Sequence, residues 1–213
     1  MAPGSILQIY GEPDAGKTAL ALWYCRWWLG DPEAFCAWLP NEKRLEPVNL
    51  AWAGIDPTQV LVAPQSPDLP GLEAATALVE QGCPLVVIDS VAGLLDPEGR
   101  GLELVLSAGL YPLKRALRKQ GGLAIFCNQE RQMPGTRVTQ PCGNSVALLH
   151  AVDYNLRLFS GINLVREGQP IGKRIHFQLF KNGAQPVQPD WTGRYNLFYE
   201  HGLRDLKGTS AGE

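Results

Sequence analysis

The chain has 213 residues, 45% hydrophobic and 19% charged, an ordinary soluble composition long enough for one α/β domain with a full core. A formal net charge of −2 and a sequence pI of about 6.0 exclude a globally basic nucleic-acid binder, so any such contact must come from a local patch. The five cysteines (Cys25, Cys36, Cys83, Cys127, Cys142) are odd in number and lack C-x-x-C spacing, which excludes a disulfide or zinc frame and reads as packed thiols of a cytoplasmic protein.

Met1-Ala2-Pro3-Gly4 runs straight into Ile6-Leu7-Gln8-Ile9-Tyr10, a short apolar run fit for a buried strand, so no leader is expected. Gly11-Glu12-Pro13-Asp14-Ala15-Gly16-Lys17-Thr18 follows, then a helix-forming run from Ala19 to Trp28. Trp23, Trp27 and Trp28 fall at helical spacing, which suits core or subunit contact rather than a membrane; no apolar stretch reaches bilayer length. Gly30-Asp31-Pro32 stops the helix. Ala34–Leu39 reads as a second strand, Leu45–Ala53 as a short helix closed by Gly54, Val60–Val62 as a third strand and Leu72–Glu80 as a helix. Pro84–Asp89 is apolar on both faces, as a central parallel strand should be. Asp96–Gly101 is a charged loop, and Leu102–Lys119 a long helix with a basic C-terminal end that complements its dipole. Leu123–Cys127 is another buried strand; residues 130–143 read as an irregular polar loop, and Asn144–Leu149 as a short helix. Val152–Phe159, Arg174–Phe180 and Tyr195–Tyr199 alternate like strands, with no helices between them. The expectation is an α/β domain: a mostly parallel central sheet sandwiched by helices, with a C-terminal antiparallel edge. Residues 1–207 form the single core and 208–213 a flexible tail.

The segment from Gly11 to Thr18 fits G-x-x-x-x-G-K-[ST], and the strand before it and helix after it are the context a phosphate-binding loop requires. Its glycines let backbone N–H groups turn toward phosphate oxygens, and the helix N-terminus adds the positive end of its dipole. Lys17 is placed to reach the β- and γ-phosphates of ATP, and the Thr18 hydroxyl to hold Mg²⁺. Asp89 ends the most apolar strand, the position of a carboxylate that holds Mg²⁺ through water.

Ile88-Asp89-Ser90-Val91-Ala92-Gly93-Leu94 resembles the corresponding segment of the RecA/RadA recombinases. Phe126-Cys127-Asn128-Gln129-Glu130-Arg131 is similar to that family's Asn-Gln segment, Gly143-Asn144 to its Gly-Gly-Asn, and Phe180-Lys181-Asn182 to its Lys-Asn segment. Cys36–Asp56 lies on bacterial RecA without a gap, and the likeness spans about residues 4–200. The chain resembles a minimal core-only member, RadB-like or phage RecA-like, without the N-terminal polymerisation arm or the C-terminal DNA-gathering domain.

The resemblance implies a P-loop NTPase with a RecA-like core and assigns roles by position. Glu42 matches the glutamate that activates the attacking water, and Gln129 the glutamine that senses the γ-phosphate and relays to a DNA loop. Glu46 falls where an acidic residue approaches adenine, and Lys181 matches a lysine offered across a subunit interface to a neighbour's phosphates. Arg131 sits where the family has a DNA-contacting arginine. Arg137, Gly143 and Asn144 share its loop, and Arg100 lies on a second, weaker loop. Asn49 stands where the family stacks an aromatic on adenine, Gly183 replaces a second lysine, and Pro40 replaces an acidic residue. The implied activity is a single-stranded-DNA-dependent ATPase of recombination, using ATP and Mg²⁺. Its implied assembly is a homo-oligomer with ATP at subunit interfaces, open to a further recombination protein as partner. A nucleotide-binding mediator or regulator and a ring helicase motor are the alternatives.

Overall fold

The computed structural model of the chain describes residues 1–42, 44–66, 68–94, 101–132, 139–141, 146–187, 191–200 and 202–209, with backbone alone at 132, 139, 146 and 204–209. Strand β1 (Ser5–Gly11) is buried throughout and leads through the phosphate-loop segment into helix α1 (Lys17–Trp28). Then come β2 (Cys36–Pro40), α2 (Pro47–Ala53), β3 (Val60–Val62), α3 (Gly71–Glu80) and β4 (Leu85–Asp89). Helix α4 (Leu102–Gln120) precedes β5 (Leu123–Gln132), β6 (Thr139–Pro141) and α5 (Val146–Ala151). The C-terminal third is β7 (Tyr154–Arg166), β8 (Gln169–Asn182), β9 (Thr192–Phe198) and β10 (Gly202–Thr209).

One sheet holds all ten strands, in the order β10-β9-β8-β7-β1-β5-β4-β2-β3, with β6 on β5. From β3 to β7 every pairing is parallel; β7-β8, β8-β9 and β9-β10 are antiparallel. The expected mixed α/β fold with an antiparallel edge is therefore the observed one. On one face, α1 and α2 pack Leu20, Ala21, Cys25 and Leu50 against Leu7, Ile9, Val87 and Ile125. On the other, α3, α4 and α5 pack Leu72, Val79, Leu106, Leu117 and Leu148 against Ile6, Val86, Ile88 and Phe126. Fully burying an aliphatic side chain of this size is worth roughly 2 kcal/mol. Apolar residues on both sides of β1, β4 and β5 thus fix these strands in the centre of the sheet.

The structure departs from the sequence expectation where polar strands are involved. β5 does not stop at Cys127: it runs to Gln132 and pairs with Thr139–Pro141, so part of the segment read as an irregular loop is an antiparallel pair. The hairpin β7-β8 reaches well past Phe159 to a turn at Glu167 and Gly168, both with positive φ. β10 adds a further strand. Helix α2 begins at Pro47, because Glu46 and Asn49 close a capping box and proline suits the first helical position. Among the described residues, no helix is long and apolar enough to cross a membrane.

Candidate functional site

The parallel strands point their C-terminal ends to one edge, where β1 ends at Gly11, β2 at Pro40 and β4 at Asp89, with Gln129 beside Gly11 on β5. A crevice outside the carboxyl ends of such strands is where open α/β sheets take ligands.

The loop between β1 and α1 is exposed at Glu12, Pro13 and Asp14 and buried at Ala15. Ala15 N–H closes a turn on the Glu12 carbonyl at 3.3 Å, and Asp14 has a positive φ of 57°. Gly16 has φ 84° and lies so close to β9 that a Cβ there would come 3.2 Å from Leu197 and 3.4 Å from the Tyr195 hydroxyl. Both observations call for glycine. Lys17 Nζ donates to the carbonyls of Gly11 (3.1 Å) and Glu12 (2.7 Å). Burial lowers the Lys17 pKa, opposed by the charges of Cys127, Asp89, Asp14 and Glu42.

Thr18 Oγ1 donates to Asp89 Oδ2 at 2.9 Å. Burial raises the Asp89 pKa; the Thr18 hydrogen bond opposes this, the Glu42 charge adds to it, and Lys17 and the Cys127 thiol oppose it. A hydroxyl and one carboxylate at bonding distance from each other suit Mg²⁺, which keeps several waters and takes few protein ligands. Among the described residues no group of three or more His, Cys, Asp or Glu could hold a metal ion on its own. The donor set thus suits a cation shared with phosphates rather than an all-protein cage.

Glu42 lies just beyond β2, whose exit is stapled to that of β4. Asn41 N–H donates to the Asp89 carbonyl at 2.7 Å, and Asn41 Nδ2 to the Ser90 carbonyl at 3.1 Å. Gly93 packs under this turn: a Cβ there would come 2.6 Å from the Asn41 carbonyl oxygen and 2.9 Å from Glu42 Cγ. Gln129 Nε2 donates to Glu42 Oε2 at 2.6 Å. Lys17, Thr18, Asp89, Glu42 and Gln129 therefore converge on one edge, and the set can neutralise a polyphosphate, share a cation and orient a water.

Other expected site residues lie apart. Glu46 is the exposed N-cap of α2, and its N–H donates to Asn49 Oδ1 at 2.8 Å. Trp52, which lies on the same helix but is not among the expected site residues, is tied to the β9-β10 turn through its indole N–H on the Tyr199 carbonyl at 2.7 Å. Lys181 sits on β8 beside Asn155 of β7, which is level with Gln8, three positions before Gly11; its Nζ donates to the Leu149 carbonyl at 2.9 Å. Arg131 is exposed on β5, in register with Gln140 of β6. Arg100, Arg137, Gly143 and Asn144 lie outside the described residues.

Four residues here had no sequence signal. Asn41 and Gly93 act through contacts to the backbone of neighbouring turns. Cys127 reads as a packed thiol, yet its register puts it beside Asp89, where burial and the Asp89 charge hold its pKa well above the ordinary value. Glu130, next to Gln129, is buried in an ion pair with Arg157.

The family model described as the RecA N-terminal domain matches residues 1–204. The chain is 28% identical over 219 residues to the protein RecA of Clostridium acetobutylicum, covering 94% of this chain and 60% of that protein. It is 29% identical over 216 residues to the protein RecA of Kineococcus radiotolerans, again covering 94% and 60%. It spans about three-fifths of the length of these relatives. A solved structure described as the crystal structure of the RadB recombinase superposes with a TM-score of 0.70 at 23% identity, covering 97% of this chain and 92% of that one. The match of nearly the whole chain, on a fold that gathers the phosphate loop, Asp89, Glu42 and Gln129 at one sheet edge, places the chain in the RecA N-terminal domain family.

Proposed function

We propose that this chain is an ATPase of DNA recombination whose nucleotide state governs its hold on single-stranded DNA. The observation that carries the reading is the Gln129–Glu42 hydrogen bond. It links the phosphate-loop edge to the strand that continues into the β5-β6 pair bearing Arg131. Lys17 neutralises the β- and γ-phosphates. Thr18 and Asp89 would hold Mg²⁺, which would supply charge neutralisation for the phosphates. Glu42 orients and activates the attacking water. Gln129 leaves Glu42 for the γ-phosphate and carries that change along β5 toward the DNA contacts, Arg131 and, on the following residues, Arg137, Gly143 and Asn144, with Arg100 secondary. Lys181, a half-buried β8 lysine away from its own loop, is offered to the nucleotide of a neighbouring copy in a homo-oligomer.

Measuring ATP turnover with and without single-stranded DNA tests this. The expected result is stimulation by DNA, with binding that falls steeply with added salt because it rests on phosphate contacts. Arg131→Ala combined with Arg137→Ala should weaken binding to all sequences alike and flatten the salt slope while ATP still binds. Nucleotide binding without turnover would favour a regulator of another recombinase, and unwinding of a forked duplex would favour a ring motor.

A further inference from the structure

β1 separates β5 from β7 along the sheet, with Gly11 in register with Gln129 on one side and Leu158 on the other. At Gly11 the chain turns out of the sheet into the phosphate loop. Beyond that point β5 and β7 both continue with no strand between them. Glu130 lies one residue beyond that point and Arg157, level with Tyr10, one residue before it, so their side chains meet diagonally past the end of β1. Arg157 Nη2 donates to Glu130 Oε2 at 3.2 Å, and Arg157 Nε lies 2.6 Å from Glu130 Oε1, a charge contact without hydrogen-bond alignment. The Glu130 side chain is 3% exposed and that of Arg157 27%. The guanidinium lies 4.5 Å from the Phe159 ring centroid. Tyr10, in register with Arg157, feels both charges: burial pushes its phenol up to about 12, Arg157 opposing and Glu130 adding.

The backbone support of this part of β5 is thin. β6 has three residues, and the one opposite Glu130 is Pro141, which has no N–H to donate. A buried ion pair is a poor source of net stability, since desolvation of the two charges offsets their attraction. Its value here is geometric: two charges that must meet fix the spacing of two strands that are joined only through β1, and β1 ends here.

We propose that the Glu130–Arg157 pair is a positioning strut, bridging the gap left where β1 becomes the phosphate loop. It sets Gln129 at the height of the γ-phosphate and makes the β5-β6 pair move with it. The inference rests on the ATPase reading of the same edge. Neither residue touches nucleotide; both act through Gln129.

Two variants of the full chain test it: Glu130→Gln, and the double variant Glu130→Leu with Arg157→Met. The double variant removes both charges together, so its melting temperature should match or exceed that of the unaltered protein, which keeps folding out of the comparison. Hydrogen exchange is followed with and without AMP-PNP and Mg²⁺, alongside steady-state turnover. In the unaltered protein AMP-PNP should protect both the 11–18 segment and the amides of 129–132 and 139–141. In the variants it should protect 11–18 alone, with kcat down about tenfold and KM within about twofold. A double variant with the hairpin protection and kcat of the unaltered protein overturns the strut. So does one that loses protection at 11–18 as well, since the pair would then merely hold the fold. Absent protection of 129–132 and 139–141 in the unaltered protein overturns the strut and leaves the nucleotide reading standing. Absent protection of 11–18 there removes the nucleotide reading, and the strut with it.

Discussion

Gln129 Nε2 and Glu42 Oε2 lie 2.6 Å apart, so the last β5 residue paired with β1 and the exit of β2 grip each other across the mouth of the phosphate loop. On the proposed mechanism the glutamate is occupied until a γ-phosphate draws the amide away, which delays activation of water until the substrate is seated. Glu42→Gln should leave nucleotide affinity within a few-fold and lower turnover about 10²-fold or more, because only the water-orienting carboxylate is lost. Phosphate release and titration with a fluorescent ATP analogue separate the two. Turnover at the unaltered rate would remove Glu42 from the mechanism.

The Thr18–Asp89 contact makes a prediction about the cation. Asp89 is a half-buried carboxylate whose charge is held by Thr18, Lys17 and the Cys127 thiol against the cost of desolvation. Asp89→Asn keeps the shape and deletes the charge. The Mg²⁺ concentration for half-maximal ATP binding should rise ~10-fold or more, while Lys17→Ala should abolish ATP binding at any Mg²⁺ concentration. An Asp89→Asn protein with an unchanged Mg²⁺ requirement would contradict the assignment.

Tyr195 carries a buried hydroxyl that finds no hydrogen-bond partner among the described residues, directly beneath Gly16. Tyr195→Phe should therefore stabilise the chain by about 1 kcal/mol at neutral pH. Burial, helped by Tyr24, raises the phenol above its ordinary value of 10.0. Below that value the neutral phenol is common to the folded and unfolded chains. As pH rises through it, the unfolded chain ionises and the folded one does not, so stability is lost toward the folded value. The Phe variant should lose less stability than the unaltered protein over that alkaline window, as read by urea denaturation at several pH values. Equal slopes for the two proteins would contradict the burial of this hydroxyl.

Lys181 tests assembly. Its hold on the Leu149 carbonyl is a single exposed hydrogen bond, modest in worth at about 1 kcal/mol, so a neighbour's phosphates can displace it. Mixing Lys181→Ala with Lys17→Ala subunits should restore part of the turnover that each lacks, since some interfaces then combine an intact loop with an intact lysine. Strictly additive rates across the mixing series would mean that each subunit works alone.

What the sequence disclosed was local. The Gly11–Thr18 loop, the double-sided apolar strand ending at Asp89 and the helix closed by Gly54 each declare themselves within about ten residues, because their physics is short-range. The strand character of Glu130–Gln132 was hidden. A strand that leaves the core carries polar residues on both faces, and its period reads as loop. The upper half of the β7-β8 hairpin was hidden because its apolar residues, Ile162 and Val165, are exposed among Gly161, Asn163 and Arg166 and mark no single buried face. The meeting of Glu130 with Arg157, or of Trp52 with the Tyr199 carbonyl, depends on sheet register and leaves no trace in spacing.

The resting of Gly16 on Tyr195 and Leu197 also has a temporal side. The phosphate loop is made long before β9, the strand beneath it. A nascent chain emerging from the ribosome can close β1, α1 and the parallel strands early, but it lacks the floor of the loop until β9 has emerged. Nucleotide should therefore help the finished chain more than any partial one, and a chain cut short before residue 192 would carry the whole motif with no surface to hold it.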